Sequence, residues 1–328
     1  MLHTQSGIPD SDSRPEVSVI IPAYNSAAYI GHALDSVFAQ TRNRYEVIVV
    51  NDGSPDTEAL ERELTRFSSR LRYIKQENRG VAAARNAGLR AARGDLVAFL
   101  DSDDTWLPTF LEKQVELLER SNADMVYSDA MLFGDSPLAG QTFMKLQGAG
   151  GEVTTERLLS TKVSLQTSTV LARKEAIVRV GLFNESLRRG QDFELWFRLA
   201  KAGFRFACHP ETLANHRIVE SGLSGGTVSK LRRTLTVLEA IESRFELTAS
   251  EKEALQFNKN RTLRELALQE GKEKLLNRDI DGARKAFGEA RKLRTGWKLT
   301  LVIAALVIAP KVLCSIYQRR EQGRPRPV

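Results

Sequence analysis

The chain is short of cysteine, of repeats and of the common phosphate-binding loops. Cys208 and Cys314 are its two cysteines in 328 residues. Their separation excludes a disulfide scaffold and a cysteine-based zinc site. Residues 275–293 resemble one half of a helical-repeat unit, but no second copy exists, which argues against a repeat array. The start is polar from His3 to Arg14 and lacks a basic-plus-apolar run. It therefore predicts no secretory leader and a cytosolic setting for most of the chain. Neither a Gly-x-Gly-x-x-Gly turn after the first strand-like run nor a Walker-type Gly-x-x-x-x-Gly-Lys-Ser/Thr run is present. A glycine cradle for phosphate is thus disfavoured.

The positive charge is also missing from most of the chain. The net charge is +7, yet residues 1–225 hold 26 Lys and Arg against 29 Asp and Glu. Residues 226–290 hold 13 against 11, and residues 291–328 hold 9 against 1. The excess is a property of the last 38 residues, so the slightly acidic body does not read as a nucleic-acid binder. With 42% hydrophobic and 27% charged residues the chain is an ordinary globular one, too apolar for disorder.

A polar lead-in is expected over residues 1–14. Short apolar runs at 17–21, 46–50, 71–75 and 96–100 then alternate with helical patterns at 27–39, 58–67, 81–92 and 108–120. Strands of five residues alternating with longer helices predict βαβ units, a mostly parallel sheet and helices on both faces. The middle is less regular, with strands expected at 125–133, 167–172 and 204–208. A Gly-rich loop is expected over 138–152, a short helix at 175–180 and an amphipathic helix at 192–202. From about Val228 the chain reads as all helical.

Ligands of open α/β sheets sit at the carboxyl ends of the strands. The first expected strand runs into Pro22-Ala-Tyr-Asn25, the second into Asn51-Asp-Gly-Ser54, and the fourth into Asp101-Ser-Asp-Asp104. Read singly, Asn51–Ser54 is a turn and Asp104 caps the following helix. Together they place several carboxylates in one mouth, where mutual repulsion calls for a cation. Oxygen ligands at Asp-x-Asp spacing suit Mg²⁺ or Mn²⁺ shared with a diphosphate.

These motifs, with Asn78-Arg-Gly-Val-Ala-Ala-Ala-Arg-Asn86 and Gly190-Gln-Asp-Phe-Glu-Leu-Trp196, resemble family 2 glycosyltransferases in order over about residues 15–225. The resemblance implies a GT-A fold over 15–227 followed by a helical extension over 228–295. It implies an inverting hexose transfer from a nucleotide-diphospho-sugar to an acceptor hydroxyl. Pro22, Ala23, Tyr24 and Asn25 would line the nucleotide pocket, with Asp52 on the base. Arg79, Gly80, Arg85 and Ser102 would lie against the donor. Asp103 would hold the cation, with Asp101 on the ribose or the metal, and Asp192 would be the general base. An inverting transfer needs such a base for the acceptor proton, and charge stabilisation on the leaving diphosphate. The family often has Glu before this Asp; here it is Gln191. Asp192 also reads as a helix cap, Trp196 as either acceptor floor or core aromatic, and His216 as either a cation ligand or a structural histidine. Residues 220–227, holding Gly222, Gly225 and Gly226, read as a lid.

Residues 299–317 are apolar but carry Lys311 and Pro310 and are basic at both ends. That is marginal for a span of about 20 residues, and equal basic flanks oppose one. Three readings stand: an interfacial or Pro-broken re-entrant segment over 296–328, a spanning helix, and a helix packed on the protein. The first implies an anionic membrane surface as partner at the inner face of the cell membrane. It also implies a lipid-linked acceptor in surface polysaccharide or lipopolysaccharide synthesis. A nucleotidyltransferase and an inert membrane-tethered nucleotide-binding scaffold are the rival readings. The first lacks its basic Gly-rich loop, and the intact Asp101, Asp103 and Asp192 oppose the second.

Overall fold

The computed structural model describes residues 14–147, 151–218, 227–294 and 296–322. The expected lead-in lies outside these residues apart from Arg14, the expected lid lies outside them as far as Gly226, and so do Arg324 and Arg326 of the basic end. The chain divides into two compact units with the boundary after Ile218.

The first unit is built on β1 (Val17–Ala23), α1 (Ile30–Phe38), β2 (Tyr45–Asp52), α2 (Thr57–Thr65), β3 (Arg72–Gln76), α3 (Val81–Ala91) and β4 (Leu96–Phe99). β5 (Thr105–Trp106), α4 (Phe110–Ser121), β6 (Met125–Phe133), α5 (Phe143–Gln147) and α6 (Thr155–Leu159) follow. β7 (Val170–Arg173), α7 (Lys174–Arg179), α8 (Gln191–Lys201) and β8 (Phe206–Arg217) complete it. The sheet order is β3-β2-β1-β4-β7-β6-β8-β5. β1 to β4 are parallel, β7 is antiparallel to β4 and β6, and β5 is antiparallel to β8. The expected α/β architecture with a mostly parallel sheet is therefore present, with two reversed strands in it.

Burial follows the period of two expected of strands covered on both faces. Val17, Val19, Ile21, Val47, Val49 and Ala98 enter one core under α1, α2 and α4. Ile20, Ile48, Val50, Val97 and Phe99 enter the other under α3 and α8. Ser18, in the middle of β1, is buried but satisfied: its hydroxyl donates to Glu46 at 2.7 Å. Glu46 also accepts from Arg93 N at 2.6 Å and Arg93 Nε at 3.0 Å, which ties β1, β2 and the end of α3 together.

Several elements differ from the sequence reading. β8 runs to Arg217 instead of ending at 208. Pro210 reads as a strand breaker, but it falls where the β6–β8 register shifts between Tyr127↔Cys208 and Asp129↔Thr212. A proline is tolerated at such a bulge. The expected loop 138–152 contains α5. The expected strand 167–172 begins as a 3₁₀ turn, Thr167–Thr169, before β7. Asp104 does not cap α4, whose cap position is Thr109.

The second unit holds α9 (Thr227–Arg244), α10 (Ala249–Leu276), α11 (Ile280–Leu293), α12 (Trp297–Ile308) and α13 (Pro310–Gln322). Thr248 and Glu251 form a capping box at the start of α10. Asp279 caps α11 by accepting from Gly282 N at 2.8 Å. Gly271 lets Phe287 lie against α10, since a Cβ there would stand 2.6 Å from the ring. Leu275, Phe287, Leu299, Leu306 and Cys314 share one core. No described helix is long and apolar enough to cross a membrane. The apolar stretch is two helices, because Pro310 has no N–H to continue α12. Residues 299–317 thus lie in two helices, α12 and α13, and not in one continuous helix.

Candidate active site

The mouth of the sheet is laced by backbone donors. β1 leaves into Asn25, at φ 51°, whose N–H donates to Ser54 Oγ at 2.6 Å. Ala27 N–H donates to Asp56 at 2.8 Å. The turn after β2 closes as Ser54 N–H donates to Asn51 Oδ1 at 2.8 Å. Gly53 sits at φ +62°, and a Cβ there would stand 2.5 Å from Asn78 N. Only glycine fits that approach without strain.

Asp52 ends β2 and is 3% exposed. It accepts from Gln76 Nε2 at 2.7 Å, Arg79 N at 2.9 Å and Gly80 N at 2.8 Å. It fixes the loop that carries Arg79 and Gly80 ahead of α3. Pro22 and Ala23 are buried in β1, with Ala23 inside the core, so the side-chain surface at that strand end is Tyr24, 52% exposed, and Asn25.

Arg85 projects from α3 and is 3% exposed. Its Nη2 pairs with Asp101 at 2.6 Å, and Nε and Nη1 have no partner among the described residues. Glu185 accepts from Arg79 Nη2 at 2.7 Å and Asn86 Nδ2 at 2.9 Å, while Phe183 N–H donates to Asn86 Oδ1 at 2.9 Å. The segment before α8 is thereby stitched to α3.

The segment 101–104 carries the acidic cluster from β4 toward β5. Asp104 is wholly buried and turned from the mouth. It accepts from Ser168 Oγ at 2.6 Å and Arg217 N at 2.8 Å, and His216 Nδ1 lies 3.0 Å from both its oxygens. His216 also touches Gln166 Nε2 at 2.7 Å. Burial opposes protonation of His216, but Asp104 and the nearby Asp101 and Asp103 outweigh it and raise its pKa. Asp104 engages the ring through Nδ1, and Gln166 Nε2 lies 3.1 Å from the other ring nitrogen.

Asp103 is the strained member of the cluster. Burial, with the charges of Asp104 and Asp101, pushes its carboxyl up to about 7. Such a carboxylate favours a cation over an empty mouth. Among the described residues no three His, Cys, Asp or Glu converge as a closed metal cage. Asp101 and Asp103, with Ser102 between them, offer carboxylate oxygens of the hard kind that suits a divalent cation.

Asp192 lies in the first turn of α8, after Gly190, the cap residue. It accepts from Thr167 Oγ1 at 3.0 Å and Phe193 N at 2.8 Å. It is not the cap of α8, and a second element holds it from outside its helix. Trp196, one turn on, is 1% exposed and packs edge-on to Phe183 at 6.3 Å. It has no face for a sugar, and the acceptor-floor reading gives way to the core reading.

Sequence reasoning missed the turn 166–169. Gln166 contacts His216, Thr167 holds Asp192, and Ser168 holds Asp104 while accepting from Asp101 N–H at 3.1 Å. Its carbonyl accepts from Trp106 Nε1 at 2.6 Å. The visible signal was the polar run Gln166-Thr-Ser-Thr169, too polar for the buried strand assigned there.

A doubly covered sheet with an acidic strand-end cluster and a separately held aspartate defines a GT-A-type fold. Solved structures agree at fold level. S. aureus TarS 1–349 in complex with UDP-GlcNAc has a TM-score of 0.63 at 18% identity, over 95% of this chain and 93% of that one. The mannosyltransferase PcManGT of Pyrobaculum calidifontis, with GDP-Man and Mn²⁺, has a TM-score of 0.62 at 19% identity, over 96% and 90%. Residues 18–179 match Glycosyl transferase family 2. TuaG of Bacillus subtilis strain 168, a glycosyltransferase provisionally assigned to teichuronic acid biosynthesis, is 33% identical over 232 residues, 70% of this chain and 89% of TuaG. The match spans only 27% to 32% of three longer rickettsial relatives. The chain belongs to glycosyl transferase family 2.

Proposed function

We propose that the chain is an inverting, cation-dependent hexosyltransferase acting on a nucleotide-diphospho-sugar, with a lipid-linked acceptor in surface polysaccharide or lipopolysaccharide synthesis. The carrying observation is the turn that holds Asp192 through Thr167 and the acidic cluster through Ser168. In this reading one short element would hold the proton acceptor beside the diphosphate-binding mouth. TuaG's assignment supports the polysaccharide context, and the ligands of TarS and PcManGT support a nucleotide-sugar donor and a divalent ion.

In this reading Asp192 takes the acceptor hydroxyl proton as the oxygen attacks the anomeric carbon. The Thr167 hydroxyl, from outside α8, holds its carboxylate in place for that transfer. The open N–H groups of Arg85 suit the leaving diphosphate. Tyr24 offers a face to the base. Mg²⁺ or Mn²⁺, when bound, would supply charge neutralisation on the departing nucleoside diphosphate. The enzyme would work at the inner face of the cell membrane, its basic end on the anionic surface.

The test is a panel of UDP-, GDP- and dTDP-sugars with Mg²⁺ or Mn²⁺, scored for hydrolysis and transfer, with product anomers assigned by NMR. One donor should turn over with inversion, and Asp192→Asn should lose about 10²- to 10⁴-fold in rate while retaining nucleotide binding. Retention of configuration, or full activity in Asp192→Asn, would sink the proposal.

A further inference from the structure

The apolar stretch near the end of the chain is only half covered. In α12, Leu299 and Leu306 are buried against the second unit's core. On the other side Trp297, Leu301, Val307 and Ile308 are 71%, 59%, 62% and 83% exposed. Positions 297, 301 and 308, with exposed Ala304 between them, form one helical stripe. The break at Pro310 does not end the exposure. In α13, Val312 and Ile316 are 59% and 45% exposed, one turn apart. Beside them Lys311, Ser315 and Arg319 recur at every fourth residue and line an open cleft of about 310 Å³ with Val312 and Ile316. A soluble surface rarely carries so many large apolar side chains in successive turns.

We infer that α12 and α13 are a bilayer-docking element: the apolar stripe of α12 enters the acyl boundary and the Lys311–Ser315–Arg319 ridge of α13 takes anionic headgroup phosphate. The charge of the neighbourhood chooses the occupant. Residues 291–328 hold 9 Lys and Arg against 1 acidic residue. A second copy of the chain would bring the same positive charge to the same face, whereas an anionic leaflet neutralises it. Trp297 stands at the start of the stripe, a residue type that settles at the headgroup level. Neither helix alone can span, and a Pro-broken pair with one face already packed lies in the interface instead of crossing it.

This deepens the reading that the enzyme works at a membrane and is independent of its transfer chemistry. The chain has three tryptophans, and Trp106 and Trp196 are 3% and 1% exposed, so a lipid-induced change in emission reports Trp297. The full chain is mixed with phosphatidylcholine vesicles, with and without phosphatidylglycerol, and followed by co-sedimentation and by quenching with brominated acyl chains. We expect binding that depends on phosphatidylglycerol, a blue shift, and quenching by bromines near the headgroup. The double variant Val307→Asp/Ile308→Asp changes exposed positions and should keep its melting temperature, yet lose at least about tenfold in binding. Lys311→Glu/Arg319→Glu should lose a similar factor on anionic vesicles only. Binding that survives both double variants, or emission that never shifts, overturns this docking face while leaving membrane attachment standing. Absence of the parent chain from all vesicles overturns both. A concentration-dependent dimer that Val307→Asp/Ile308→Asp dissolves would assign the face to a second copy and overturn the inference.

Discussion

Thr167 donates to Asp192 across an interval of 25 residues, at 3.0 Å, while its chain neighbour Ser168 donates to Asp104. Two adjacent hydroxyls therefore tie the start of α8 to the acidic segment 101–104. Both belong to a turn held by side chains from elsewhere: Trp106 donates to Ser168 O and Gln114 to Thr169 O, each at 2.6 Å.

Removing the Thr167 hydroxyl should disturb Asp192 without touching the donor pocket. Thr167→Val is expected to lower kcat about tenfold or more with little change in donor KM. Thr167→Ser should restore most of the rate. A loss confined to donor KM would contradict this placement.

The cation should be visible in stability as well as in rate. With UDP or GDP present, Mn²⁺ should raise the melting temperature of the parent chain, because it neutralises Asp103 and Asp101. Asp103→Asn should abolish the Mn²⁺-dependent part of the shift and keep the fold, since burial and like charges already disfavour its ionised form. An unchanged Mn²⁺ response in Asp103→Asn would contradict the assignment.

Glu46 provides a pH signature far from the mouth. Burial pushes its carboxyl up, but the donors from Arg93 and Ser18 prevail and hold its pKa below the usual range. A lowered carboxylate pKa gives stability that is complete above the unfolded pKa and fades as pH falls through the folded one. Glu46→Gln should cost about 2 kcal/mol at neutral pH. Urea titrations should find the two proteins converging below about pH 4.

Trp196 separates core from acceptor contact. Trp196→Ala should cost about 3–5 kcal/mol in unfolding free energy, the loss typical of a large buried aromatic. Trp196→Phe should keep most of the stability and leave acceptor KM unchanged. A rise in acceptor KM at normal stability would return Trp196 to the acceptor site.

The parallel half of the sheet was legible because β1, β2 and β4 are continuous, largely apolar runs covered on both faces, and because polar residues follow them. The second half was not. Its strands are interrupted by devices that resemble loops: Pro210 inside a bulge, and the Thr167–Thr169 turn before β7. The carboxylates at 101–104 stood out as a group, but their division did not. Asp104 faces inward only because Ser168, His216 and Arg217 arrive from distant positions in the chain. Asp52 reads from the sequence as a nucleotide contact, whereas its bonds to the backbone N–H groups of Arg79 and Gly80, which shape the loop ahead of α3, are ones that no sequence pattern announces. The apolar end was marked by composition, but which of its residues face outward depends on the core of α10 and α11.

β7 runs against β4, so the chain reaches the mouth there by entering the sheet instead of leaving it. A segment preceding a strand thereby sits beside the segments that follow the others. Residues 101–104, after β4, and residues 166–169, before β7, reach the same mouth from opposite directions along the chain. Insertion or replacement in the second stretch can reshape one wall of the mouth without shifting the register of the strands that build the other. If the proposed donor residues act as assigned, a lineage could exchange its acceptor while inheriting the strands before β6 intact, and chimaeras cut within β6 would follow the same seam.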